Sequence, residues 1–320
     1  MKELKEIRFN SDILLQDNLV KSAILPQKAA ELTRNIEFRG NTIVEGAVYG
    51  QRIQVKAGNI EVQGAVFAQQ ELFVNSEVEG KIEFKKSVAS ADSIVSRAAK
   101  CDMTFYSDVN AKTVTLYNAF VAGSIYADEV TLENCVVIGG VFATQQADIT
   151  NSIIGTFNSP SIRIAGIVQL LLPSAFSIEK MVCAPGTVLY NLSLADLGSL
   201  YKGLPQAENS GRIEMNVEVD ELRSRLVGED TQHTLRSYTV VGKVLAADLL
   251  DTDKFQNHFL LTAASLGPQL LKTYDLGFDK DGNNAYLTIE NIRKFFFDIQ
   301  SGRIEVKPMS GTFNINDLAQ

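Results

Sequence analysis

The chain has no tryptophan and only two histidines, His233 and His258, among its 320 residues. Both histidines lie in the C-terminal half, so a zinc site of imidazole ligands in the first half is excluded. Cysteine is scarce as well. Cys101, Cys135 and Cys183 are an odd count without metal-type spacing, which reads as buried, reduced thiols in a cytoplasmic protein. No apolar run is long enough to span a bilayer. The longest, Ile167–Leu172, is interrupted by Gln169 and stopped by Pro173. The first residues, Met1-Lys-Glu-Leu-Lys-Glu-Ile-Arg8, are charged with no apolar stretch behind them, so no secretory leader is expected. Positive charge is not in surplus: 30 Lys and Arg stand against 38 Asp and Glu, a net charge of −8. That weighs against a nucleic-acid binder that works by neutralising phosphates. There is no glycine-rich phosphate loop and no Gly-x-Ser-x-Gly elbow, and no cofactor is expected.

What the chain does have is hydrophobic material, 45% of residues against 21% charged, and an internal repeat. Gly46, Val48, Gly50, Ile53 and Val55 stand at offsets 0, 2, 4, 7 and 9. Gly123, Ile125, Ala127, Val130 and Leu132 reproduce those offsets. Gly64, Val66 and Ala68 begin a further copy, and Ile138-Gly-Gly140-Val-Phe-Ala143 begins another; both slip by one residue after the alanine. Steps of two are strand alternation, apolar inward and polar outward. The step of three is a corner, where a small residue allows the chain to bend while neighbouring turns stack closely. Gly46 to Gly64 is 18 residues, Gly64 to Gly80 is 16, and Gly123 to Gly140 is 17.

This spacing predicts a coil of parallel strands, one turn per repeat of about 17 residues, over 36–182. In a coil each strand pairs with its equivalent one turn later, which avoids the long crossover that a parallel pair in one sheet otherwise needs. An antiparallel sandwich does not require fixed offsets, and a hexapeptide helix would show an aliphatic residue every six positions. Between 85 and 118 the register is weaker, and Ile94–Ala99 and Val114–Leu116 are taken as turns with drifted corners. About eight turns, each advancing about 4.8 Å, would make a rod of about 40 Å. Residues 1–35, whose apolar positions Ile13, Leu14, Leu15, Leu19 and Val20 lack a clean period, are expected to cap one end. Leu170, Leu171 and Leu172 would form a hydrophobic last coil, buried or available for assembly. Tyr49, Phe67 and Tyr126 each follow an inward aliphatic residue, so stacked turns would align them as an outer aromatic stripe, either covered or serving a partner.

The recurring Val-x-Gly-x-Val-x-Ala/Gly units, Val44–Gly50, Val62–Ala68 and Val121–Ala127, resemble the bactofilins, polymer-forming bacterial cytoskeletal proteins. The resemblance covers about 36–182, under half the chain. It implies a right-handed parallel β-helix, nucleotide-free self-association through the helix ends into polymers, and scaffolding at the inner face of the cell envelope, with envelope-associated proteins as further partners. It carries over no catalytic residue. The chain departs from the family in its tail: some 135 residues follow the repeat where a typical bactofilin has a short disordered segment. Such an appendage would cap one end and leave a non-polymerising binding module.

Ala184-Pro-Gly186 reads as a boundary turn, and 187–320 as a smaller α+β domain. Helices are expected at Leu192–Tyr201, Asp220–Leu226, Lys254–Leu266 and Thr288–Ile299. In the last, Ile292, Phe295, Phe296 and Ile299 share one face. Strands are expected at Ile213–Val219, Ser237–Leu245 and Ile304–Val306. Ser210-Gly-Arg-Ile-Glu214 recurs as Ser301-Gly-Arg-Ile-Glu305. His258 sits among aromatic residues as a packing residue, and His233 reads as loop. Asp279-Lys-Asp-Gly-Asn283 resembles a calcium loop but has Gly277 and Thr288 where ligating acids belong, so a plain turn accounts for it. A polysaccharide-active β-helix enzyme needs clustered acids along a groove. Glu45, Glu61, Glu79, Asp92, Asp108, Asp128 and Asp148 are instead scattered on outward positions.

Overall fold

The computed structural model describes residues 1–28, 33–75, 79–97, 100–171, 180–184, 188–191, 195–196, 240–241, 288–301, 303 and 307–308. His233, His258, the Asp279–Asn283 loop, Leu172, the paired Ser-Gly-Arg-Ile-Glu segments as wholes, and the expected elements at 213–219, 220–226 and 254–266 lie outside these residues. Among the described residues the chain forms a parallel β-solenoid of about nine turns roughly 17 residues apart. Contacts divide it into two units, Met1–Asp148 and Ile149–Gln320.

In the first unit each turn lays down three short strands, so three columns of parallel strands enclose one core. The first turn is β1 (Lys2–Leu4), β2 (Ile7–Phe9) and β3 (Ile13–Gln16). They pair in parallel with β4 (Asn18–Val20), β5 (Ile24–Pro26) and β6 (Ile36–Arg39). The first column then continues through Thr42–Val44, Ile60–Val62, Gly80–Phe84, Cys101–Phe105 and Ala119–Val121 into the start of Val136–Thr150.

The register explains the alternation. Leu4, Val20, Val44, Val62, Phe84, Phe105, Val121 and Val137 face one another in unbroken succession on the inside of the first column. Ile7, Ile24, Val48, Val66, Val88, Val109 and Ile125 do so in the second, and Ile13, Ile36, Ile53, Leu72, Ile94, Val114 and Val130 in the third. Branched side chains suit a pleated surface, and each fully buried one contributes about 1.5–3 kcal/mol. The one-residue slip after Ala68 is a bulge: the register against Gly50–Arg52 shifts between Ala68 and Glu71.

Four sequence expectations are corrected. Residues 1–28 and 33–35 are not a cap but belong to the first two turns; the apolar triplet Ile13-Leu14-Leu15 hides their alternation, because Leu14 points outward and is 54% exposed. Gly80 does not stack over Gly64. A Cβ on Gly80 would meet Gly58 O at 2.5 Å, which places it on the corner between the third and first columns. Gly139, not Gly140, is the counterpart of Gly123, since Gly139 N donates to Gly123 O at 3.0 Å. The boundary at Ala184–Gly186 does not end the parallel pairing. In the second unit Ile167–Leu170 pairs in parallel with Val188–Asn191, and Ser161–Ala165 with Lys180–Cys183.

Gly46, Gly64 and Gly123 are required by proximity. A Cβ on Gly46 would collide with the backbone of Ser22, one on Gly64 with the backbone of Gly46, and one on Gly123 with Ser107 and Asp108. On the next corner Gly50, Ala68, Ser90, Ala111, Ala127 and Ala143 form a buried column of small residues. The third corner uses left-handed backbone: Asp17, Gly40, Gly58, Asn118, Asn134, Asn151 and Gly166 all have φ between +44° and +94°. Asparagine and aspartate tolerate that region better than other side chains, and glycine best. Here the side chains also bond: Asp17 Oδ1 accepts from Asn41 N at 2.8 Å, and Asn151 Oδ1 from Ile167 N at 3.1 Å.

The described elements after the turns in the second unit are few. Val188–Leu189 pairs antiparallel with Val240–Val241, and Ala195–Asp196 with Lys307–Pro308. Ala195–Asp196 is therefore extended where a helix at Leu192–Tyr201 is expected from sequence. Helix α1 (Ile289–Gln300) starts at the N-cap Thr288, whose Oγ1 accepts from Asn291 N at 3.1 Å. Its Phe295, Phe296 and Ile299 are buried, and Asp298 beside them is held by Arg303 at 2.9 Å. Gln300 Nε2 donates to the carbonyl of Asn151.

Candidate assembly surfaces

Among the described residues the strands of the first turn are paired on one side only. Lys2 N donates to Asp17 O at 2.8 Å, Ile7 N to Ala23 O at 3.1 Å and Ile13 N to Asn35 O at 3.0 Å, all toward the second turn. Lys21 N and Gln27 N return bonds of 2.8 Å to Leu4 O and Phe9 O. Backbone groups alternate sides along a parallel strand, so Glu3, Arg8 and Leu14 direct theirs away from the solenoid. Among the described residues β1, β2 and β3 have no second neighbour. Burial falls off there: Leu4, Ile7 and Ile13 are half-buried, although Phe9 and Leu15 stay buried, while Val20, Ile24 and Ile36 one turn later are completely buried. An edge of this kind templates further strand pairing.

The outer side of the second column carries the aromatic positions. Tyr49 and Phe67 are directly paired, with ring centroids 6.1 Å apart. The next two turns present Ala89 and Asn110, and only then comes Tyr126. Tyr126 stacks on Phe142, a residue the repeat did not single out, at 5.1 Å and 11° between ring planes. The expected stripe is thus two aromatic pairs separated by a two-turn hollow. Tyr126 is 42% exposed. The outer side of the first column differs: Thr104, Phe120 and Val136 point outward by register yet are buried. Leu170 ends the strand Ile167–Leu170, and Leu171, buried, donates its N–H to Ile154 O at 2.8 Å.

One polar cluster sits outside the first column. Tyr106 Oη donates to Glu83 Oε1 at 2.5 Å, with Lys85 Nζ at 3.0 Å and Lys81 Nζ at 3.3 Å from the same oxygen. Lys85 Nζ also lies 3.8 Å from the Tyr106 ring centroid. Burial pushes the Glu83 carboxyl up, but the Tyr106 and Lys85 hydrogen bonds outweigh it and hold the carboxyl below its usual range. Burial raises the Tyr106 phenol, and its bond to Glu83 adds to the rise. The donors and acceptors satisfy one another, so the cluster reads as a cross-turn brace rather than a reactive centre. Cys135, completely buried with Sγ 3.3 Å from Leu116 O, has its thiol pushed up to about 12 by burial.

Among the described residues no group of three or more His, Cys, Asp or Glu is placed to hold a metal ion. Nor is any described helix long and apolar enough to cross a membrane. The left-handed asparagine column was missed by the repeat analysis, although its signal is in the sequence: Asn118-Ala-Phe-Val, Asn134-Cys-Val-Val and Asn151-Ser-Ile-Ile recur at 16 and 17 residues. No family model, no curated protein and no solved structure matches the chain.

Proposed function

We propose that the chain is a structural scaffold that associates with further copies of itself through the open end of its solenoid, without nucleotide, like the bactofilins its repeat resembles. The carrying observation is the first turn, whose three strands have one neighbour each among the described residues, around the half-buried Leu4, Ile7 and Ile13. A strand edge above an apolar core is stabilised by burial and by three rows of backbone hydrogen bonds when a second end meets it. The same resemblance suggests a place at the inner face of the cell envelope. The residues after the turns are read as an appended α+β domain, supported by α1 and by the antiparallel pairs at 188–189 with 240–241 and 195–196 with 307–308.

The test uses the full chain and the double variant Arg8→Pro/Leu14→Pro. Proline at these positions removes N–H groups that point off the end and leaves the bonds to the second turn intact. In sedimentation velocity the unmodified chain should grow beyond a monomer as concentration rises, and the proline variant should not. A strict monomer at every concentration sinks the proposal, as does growth that the proline variant retains.

A further inference from the structure

The geometry points to a second, lateral self-contact: the outer side of the second column pairs face to face with the same side of another copy across a two-fold axis between Asn110 and Tyr126. The outward residues of this column, one per turn, run Tyr49, Phe67, Ala89, Asn110 and Tyr126, with Phe142 stacked beyond Tyr126. Each step is about 4.8 Å. A two-fold axis lying in the contact plane and perpendicular to the stack reverses this order in the partner. With the axis between Asn110 and Tyr126, Tyr126 faces the partner's Asn110 and Phe142 faces the partner's Ala89. The operation is reciprocal, so the aromatic pair of each copy fills the hollow of the other.

Charge favours the same register. The corner that follows this column carries Lys112, and Asp128 sits one turn further on, its N–H donating to Lys112 O at 2.8 Å. The two-fold operation sets Lys112 against the partner's Asp128, twice. Lys112 is open to this pairing, with a side chain 67% exposed and a contact to its own Asp92 of 3.6 Å. On the opposite corner Asp108 faces the partner's Ser124, so no like charges meet. The hollow could also receive Tyr49 and Phe67, with the axis between Phe67 and Ala89. That register sets the uncharged Gln51 against the partner's Lys112 and gains no ion pair.

The occupant is a second copy because one face supplies both the rings and the hollow, and both signs of charge. The face spans four turns, about 20 Å, smaller than a permanent interface needs, so the contact is weak and concentration-dependent. It does not depend on the end association proposed above, and the Arg8→Pro/Leu14→Pro background separates the two. In that background, sedimentation equilibrium should show a monomer–dimer equilibrium. Lys112→Glu should weaken it roughly tenfold, because two attractive pairs become repulsive. Adding Asp128→Lys should restore the affinity to within about threefold of the background value. Asp128 also accepts from Thr144 Oγ1 at 2.5 Å, and circular dichroism checks that the fold is kept. A strict monomer at the highest soluble concentration overturns the inference. So does a dimer that ignores Lys112→Glu, or one that the charge swap fails to restore.

Discussion

A Cβ placed on Gly166 would run into Oδ1 of Asn151, the residue one turn earlier on the same corner, and both residues hold left-handed backbone, φ +65° and +44°. Side-chain bonding and glycine thus alternate as two solutions to one bend. Gly166→Ala should destabilise the fold by about 1–3 kcal/mol, through backbone strain together with the displaced Asn151 amide. At Asn134, φ +54°, replacement by alanine should cost about 1 kcal/mol and replacement by glycine much less. Urea denaturation midpoints order the three variants.

Ser96 is completely buried and faces Val74 inside the third column, and among the described residues its hydroxyl has no hydrogen-bond partner. An unpaired buried hydroxyl is a standing cost that a methyl group does not carry. Ser96→Ala should raise stability by about 1 kcal/mol, read as a higher denaturation midpoint. A fall in the midpoint would show that the hydroxyl is paired.

Cys135 makes stability fall at alkaline pH. Its thiol, pushed up to about 12 from an ordinary 9.0, keeps its proton in the folded state while the unfolded chain loses it. Between those values the unfolded state binds fewer protons, so stability present below pH 9 is lost as pH rises toward 12, by at most about 1.4 kcal/mol per pH unit. Cys135→Ala should flatten that part of the stability profile relative to the unmodified chain. The same burial predicts that a thiol reagent at pH 8 modifies Cys135 only after unfolding.

Tyr106→Phe removes one donor from Glu83 and should cost about 1–2 kcal/mol near neutral pH. Because the Glu83 carboxyl lies below its ordinary value in the fold, the stability it contributes is present above about pH 4.5 and is lost as pH falls below it. Acid titrations of the two proteins should therefore converge at low pH. Parallel acid limbs would assign the cost to packing rather than to the carboxylate.

How much of this was legible in the sequence follows from where the repeat kept its length. Gly46–Val55 and Gly123–Leu132 were read in the register the structure shows, because those turns carry no insertion. Gly80 was placed on the wrong corner because the turn before it is longer: Lys85 N, not a residue next to Gly80, bonds Val62 O. The first two turns escaped detection because 27–35 intervene between β5 and β6 and because Leu14 is apolar yet outward. Gly139 and Gly140 are adjacent, and spacing alone does not choose between them. The aromatic positions were found, but the hollow between them needed the pairing of Phe67 with Ala89 and of Asn110 with Tyr126. The burial of Phe120 and Val136 on an outward register has no sequence signal, since alternation assigns a face and not what covers it.

The most direct test of the assembly account is amide hydrogen exchange in the segment 1–16, followed by mass spectrometry at low and high protein concentration. The account predicts that Glu3, Arg8 and Leu14, whose N–H groups leave the open end, become protected as concentration rises, while the amides of 42–55 exchange at the same rate in both samples. Exchange in 1–16 that stays fast and independent of concentration, in a sample shown to be associated, would contradict assembly through this end.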